Sequence, residues 1–255
     1  MKKRNLKRNS SGQMIIITAL LVASLLLSTA IYVFETEKEV PTAGASEESV
    51  LPAYQQSTLN TLISALASVT NGGDPSVLTA DLNELNAAIT NDSYQAILQM
   101  NYTLLNVAPY QNGLWISWGA DGLGVSSAYV NFVFDSSSSS TSSNLEYDIN
   151  VTTAANLSGT YQLNGNITQV NLTVNMLNEG TPALAQNFTF YFENAAGGWI
   201  QVNSPSITDF GNGTYSVSFT MATDQSSDPL LVSMLCQDQR GIFVGANATC
   251  SSAGE

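Results

Sequence analysis

Histidine is absent from all 255 residues. That excludes the Ser-His-Asp and Cys-His nucleophile arrangements, histidine-bearing zinc sites and the usual base at neutral pH. Only two cysteines occur, Cys236 and Cys250, too few for a disulfide-dense scaffold. One bridge between them is a candidate in an oxidising compartment. Reflecting the chain about the Asp238–Gly241 turn sets Cys236 opposite a residue near Phe243, so such a bridge needs the C-terminal tail to fold back. Charge is scarce too, at 11% of residues. Beyond residue 34 only Lys38 and Arg240 are basic, against twenty acidic residues. A surface of that sign repels phosphate backbones, so nucleic-acid binding is not expected.

Carboxylates are plentiful, but most fall at turns or outward strand positions, where solvation explains them better than a glycosidase pair. Asp74 and Asp121 have neighbouring carbonyls that suit calcium, yet no EF-hand loop is present. No catalytic residue, metal ligand or cofactor is assigned, and the chain is read as not an enzyme.

What is present begins with a partition of charge. Lys2, Lys3, Arg4, Lys7 and Arg8 precede an uncharged run, Met14 to Phe34. At about 1.5 Å per residue a helix of that length spans roughly 31 Å, the thickness of a hydrocarbon core. The basic flank places the N-terminus in the cytoplasm and the remainder outside. A secretory signal peptide is the lesser reading, because its apolar region is shorter, about 7–15 residues. The leader Ser11-Gly12-Gln13 before an unbroken apolar segment resembles the class III signal of archaeal type IV pilin-like proteins. The resemblance implies cleavage between Gly12 and Gln13 and a helix that holds the chain in a membrane or filament core. It covers about the first 35 residues.

The expected organisation comes from composition and period. Residues 1–12 read as a basic leader, 13–34 as the transmembrane helix, and 35–92 as a stalk and helical neck. In the neck, Leu59, Leu62, Ile63, Leu66 and Val69 recur at helical spacing until Asn71-Gly72-Gly73. Asp74-Pro75 then opens a second helix bearing Leu78, Leu82, Leu85 and Ile89. Residues 93–156 read as a small β-rich region with a serine-rich loop at 135–144, which either joins two strands or separates two domains. Clean alternation over 145–152, 170–176, 188–192, 215–221, 230–236 and 242–248 implies a sandwich over 157–250, with 251–255 as tail. The fold class is therefore α+β to mainly β.

Asp209-Phe210-Gly211-Asn212-Gly213-Thr214-Tyr215 in that region, with Thr181-Pro182-Ala183 before Asn187-Phe188, is similar to Ig-like modules of the invasin/filamin kind. Such modules open a strand after a tight turn, which implies an Ig-like sandwich and nothing about ligand.

Nine Asn-x-Ser/Thr sequons lie beyond the apolar run, at Asn91, Asn101, Asn150, Asn156, Asn166, Asn171, Asn187, Asn212 and Asn247. Asn/Thr-rich strand faces generate such triplets by alternation alone, but an exterior β protein would present them to a glycosylating machinery. Trp115 and Trp118 are the candidate ligand-binding residues, as a stacking platform for sugar, weighed against ordinary burial of indoles. These readings converge on a single-pass cell-membrane protein with an extracellular body. Its expected roles are adhesion, surface-layer association or filament assembly, with surface-layer or pilin-like proteins or surface glycans as partners. The alternative is a membrane-tethered carbohydrate- or solute-binding module.

Overall fold

The computed structural model describes residues 47–92, 97–119, 121–137, 142–223 and 229–253. The Gly12–Gln13 junction, the uncharged run and the stalk to residue 46 lie outside the described residues. The chain divides into two compact units, 1–53 and 54–255. Of the first, only the opening of helix α1 (Glu47–Thr70) is described. The second contains the rest of that helix and every described strand.

Helix α1 ends where three consecutive residues disfavour its continuation. Gly73 N donates to Ser68 O at 2.9 Å, and Gly72 takes φ +93°, a conformation open to glycine at little cost. Asp74 then caps the next turn, its Oδ1 accepting from Ser76 N at 2.8 Å, and α2 runs Val77–Asp92. The Ser76 hydrogen bonds hold the Asp74 carboxyl below its ordinary range. Leu62, Leu66, Leu78 and Leu82 are fully buried. Each such side chain contributes about 1.5–3 kcal/mol, which an isolated helical hairpin of this length could not obtain. The sheet supplies the missing surface.

Thirteen strands are present among the described residues: β1 (Ile97–Leu104), β2 (Leu114–Trp118), β3 (Leu123–Ser137), β4 (Ser142–Asn164), β5 (Ile167–Asn178), β6 (Thr181–Pro182), β7 (Ala185–Glu193), β8 (Trp199–Gln201), β9 (Ser206–Asp209), β10 (Thr214–Ala222), β11 (Leu231–Asp238), β12 (Phe243–Thr249) and β13 (Ser251–Ser252). The larger sheet has the order β1-β3-β4-β5-β10-β9, with β2 beside β3, β6 beside β5 and β13 beside β4. The smaller sheet runs β12-β11-β7-β8.

The organising element is β4, 23 residues long. Its first half pairs with β3 and its second with β5. Because side chains alternate, every odd-numbered residue of β4 looks to the same side. Leu145, Tyr147, Ile149 and Val151 pack in a core roofed by α1 and α2. Ala155 and Leu157 pack in a second core, roofed by the smaller sheet. One face of one sheet thus carries two different covers. The opposite face has none among the described residues, and its β4 and β5 positions are mostly polar and exposed from Asn150 through Asn171 and Thr173, apart from half-buried Thr152 and Ala154 and the exposed Ile167.

Where β12 crosses β3 the backbones nearly touch. A Cβ on Gly124 would land on the Gly245 carbonyl oxygen, and one on Gly245 would meet the Trp118 ring at 3.1 Å. The edge of β12 is closed by this crossing. Asn247 N donates to Gly119 O at 3.1 Å, Gly122 N to Asn247 O at 2.8 Å, and Ser126 Oγ to Phe243 O at 2.7 Å.

The expected fold class is corrected on these grounds. The described protein is mostly β with two helices, and no helix among the described residues is long and apolar enough to cross a membrane. Helix α1 has the length, but its apolar residues form a stripe beside Gln55, Gln56, Asn60 and Ser64, so it suits a sheet face and not lipid. The expected transmembrane helix at 13–34 is outside the described residues. Nor are α1 and α2 a neck, since both are structural layers of the first core. No boundary falls at 156, because β4 passes through that position unbroken. The serine run joins two hairpin strands, with Ser137 opposite Ser142.

Candidate functional site

The uncovered face gathers its aromatic residues in one place. Trp115 of β2 stands opposite Ser127 of β3, and Ser127 opposite Thr152 of β4. Tyr129 faces Asn150 across the same strand pair. The loop before β2, which contains a cis Ala108–Pro109 bond, delivers Tyr110 onto this surface. The Tyr110 ring lies 5.9 Å from Trp115 and 5.8 Å from Tyr129, both edge-on, the arrangement favoured by aromatic quadrupoles.

Beneath these rings runs a relay of hydroxyls. Tyr110 Oη and Ser127 Oγ are 2.9 Å apart, and Ser127 Oγ and Thr152 Oγ1 are 2.7 Å apart. Thr152 Oγ1 donates to Asn150 Oδ1 at 2.9 Å. A chain from Tyr110 through Ser127 and Thr152 to Asn150 uses each hydroxyl once as donor. Ser127 is fully buried even though it points to the open side. Beyond Asn150, Asn131 Nδ2 donates to Asp148 Oδ1 at 3.0 Å and to Glu146 Oε1 at 3.1 Å. The hydrogen bond from Tyr129 to Asp148, followed by burial and that carboxylate's charge, holds the Tyr129 phenol above its ordinary range.

Trp115 belongs to this cluster; Trp118 does not. The two are three residues apart on one strand, hence on opposite faces, so they form no joint platform. Trp118 lies against Gly245 and donates from Nε1 to Ser126 Oγ at 3.3 Å. Tyr110 and Tyr129 are the residues that complete the cluster, and the strand pairing that joins them to Trp115 is invisible in the sequence.

Eight of the nine sequon asparagines are exposed: Asn91, Asn101, Asn150, Asn156, Asn166, Asn171, Asn187 and Asn212. Asn247 is half-buried, with Nδ2 3.5 Å from Trp118 O. Asn101, Asn150, Asn156 and Asn171 project from the uncovered face. Asn187 adopts φ +57° and donates from Nδ2 to Gln237 Oε1 at 2.8 Å.

Cys236 and Cys250 are both free and buried, so the candidate bridge is not formed. Register sets Cys236 opposite Val244, and its Sγ lies 3.4 Å from Met176 Sδ. Burial, with a smaller push from Asp238, raises its thiol to about 12; burial raises Cys250 to about 11. Both are packing residues.

A polar clip joins the two cores. Asp238, with a side chain 0% exposed, accepts from Thr153 Oγ1 at 2.8 Å, Arg240 Nε at 2.8 Å, Arg240 N at 2.8 Å and Ile242 N at 3.0 Å. Arg240 also donates to Glu179 Oε1 at 2.7 Å and to Thr152 O at 3.1 Å. Burial works against the guanidinium charge, but the hydrogen bonds and charges of Glu179 and Asp238 outweigh it and raise its pKa. Thr153 is the β4 residue between the two roofs. In the sequence, Arg240 stands out as the sole base after Lys38, two residues from an aspartate, and that was the available signal.

Among the described residues no three His, Cys, Asp or Glu side chains converge as metal ligands. A groove on the helical hairpin brings Asp81 and Glu84 together with Thr61 and Ser64, without a base. Fold and cluster together define a two-sheet β protein, part-roofed by helices, whose most elaborate polar surface is an open face and not a cleft. The chain matches no protein-family model and no curated protein.

Proposed function

We propose that the chain is a non-enzymatic cell-surface protein, held at the cell membrane through its uncharged N-terminal run, with the acidic β body outside. Its work in this reading is adhesion, surface-layer association or pilin-like filament assembly. The observation that carries it is the partition of charge. Five of seven basic residues precede the uncharged run and every acidic residue comes after it. The body's open face supports it, since uncharged amides and hydroxyls on a solvated sheet suit contact with water, protein or glycan. The test is N-terminal sequencing of native material after detergent extraction. Gln13 as first residue supports the pilin-like pathway; a chain beginning at Met1 or Lys2 removes it. Recovery of the intact chain in the soluble cytoplasmic fraction overturns the exterior assignment.

A second reading draws on the Tyr110–Trp115–Tyr129 surface, which offers stacking area beside Asn150 and Asp148. It takes the body as a tethered carbohydrate-binding module. Glycan-array binding that is lost in Trp115→Ala and kept in Trp118→Ala, on the opposite face, would favour it.

A further inference from the structure

We propose that Asn150, of the nine sequon asparagines, is a site of N-glycosylation whose first sugar packs over Tyr110, Trp115 and Tyr129; this rests on the exterior location proposed above. Three hydroxyl oxygens surround the Asn150 amide oxygen, and the relay leaves Thr152 as its donor. Thr152 Oγ1 at 2.9 Å, Ser127 Oγ at 3.0 Å and Tyr110 Oη at 3.4 Å all approach Oδ1. Nδ2 is left as the solvent-facing end, without a partner among the described residues. Thr152 is the sequon's own third residue, and donation from its hydroxyl to the amide oxygen polarises that amide. No other sequon shows this bond among the described residues. Asn187 commits Nδ2 to Gln237, and Asn247 is half-buried against Trp118 O.

The chemistry is a transfer from a lipid-phosphate-linked sugar. Nδ2 attacks the anomeric carbon, and the new bond is Nδ2–C1. The C1–O bond to phosphate breaks, the phosphate leaves with its electron pair, and Nδ2 gives one proton to the transferase. Once attached, the sugar ring emerges beside Tyr129. Direct cross-strand partners have Cβ atoms about 4.5–5.5 Å apart. Its apolar face meets the half-buried aromatic rings, which no other described residue covers on this side of the sheet.

The experiment is glycopeptide mass mapping of the full chain from the cells that make it. The expected result is a glycan at Asn150, with Asn187 and Asn247 bare. Asn150→Gln and Thr152→Val each lose one glycan mass, and Thr152→Ser keeps it, so a folding defect in one variant is separable from loss of the site. In a Trp118→Phe/Trp199→Phe background Trp115 is the sole indole, and its quenching by acrylamide falls when the glycan is present. Unchanged quenching overturns the packing. A bare Asn150 overturns the site. With other sequons occupied the exterior reading survives, whereas nine bare sequons in a soluble cytoplasmic chain end both.

Discussion

Arg240→Met isolates the contribution of the clip between the two cores. Methionine keeps much of the stem's packing and deletes the guanidinium, so Asp238 stays buried with its charge uncompensated. Its side chain is 0% exposed, against 45% for Glu179, the other acidic partner. Removing one member of a buried pair costs about 3–5 kcal/mol, whereas an exposed pair is worth about 0–1 kcal/mol. Arg240→Met is therefore expected to lose about 3–5 kcal/mol and Glu179→Gln no more than about 1 kcal/mol. In a body of this size each kcal/mol moves Tm by about 2–4 °C, which puts the first variant about 6–20 °C below the parent. Equilibrium urea unfolding is the primary assay, read as a shift of midpoint at constant slope. Adding Asp238→Asn to Arg240→Met removes the orphaned charge and should recover at least about 1 kcal/mol. If Arg240→Met costs no more than Glu179→Gln, or the second substitution recovers nothing, the electrostatic account of the clip is refuted.

Two further expectations concern the packing of the sheets. Gly124→Ala places a methyl on the Gly245 carbonyl oxygen, a backbone atom that cannot swing aside. It should cost at least about 1–3 kcal/mol, as overpacking does, while Gly119→Ala, whose added methyl meets only ordinary contacts from 3.4 Å outward, should lose less; paired thermal melts decide between them. The Cys236 thiol is expected to resist alkylation in the folded chain and react on unfolding. Its folded pKa, about 12, lies above the ordinary 9.0, so the native state keeps a proton that the unfolded state releases. Its contribution is full below pH 9 and is lost as pH rises toward 12. At about 1.4 kcal/mol per pH unit the loss amounts to about 4 kcal/mol. The stability gap between the parent and Cys236→Ala should narrow over that window, and a pH-independent gap would contradict the assignment.

The strands that were legible share one property: one side is buried and the other wet, so apolar and polar residues alternate. Leu145 to Thr152 and Val170 to Met176 show this without interruption. Strands β8 and β9 were illegible because they are three and four residues long and exposed throughout, which leaves no period to read. Strand β2 hid among turn residues, since only Leu114 is buried in it. The two helices were recognisable from their stripes, but a stripe does not say what covers it, and so a structural roof read as a neck. Gly159 and the Asn/Ser residues about position 156 look like a break, yet strand pairing on both sides of β4 overrides their weak β-propensity. As for the candidate site, Trp115 was nameable, together with Trp118, as a stacking candidate. Tyr110 and Tyr129 were not, because their meeting depends on a loop and on cross-strand register.

A 23-residue strand held in common has a mechanical consequence. Cutting the chain near its midpoint yields no pair of separable modules. The helix-roofed portion would lose its anchor to β5, and the smaller sheet would lose the floor it rests on. Insertions are tolerable at the hairpin ends of that strand, while a single added residue near Thr153 would turn one half of it inside out, sending either the aromatic residues under the helices or the aliphatic ones under the small sheet into solvent.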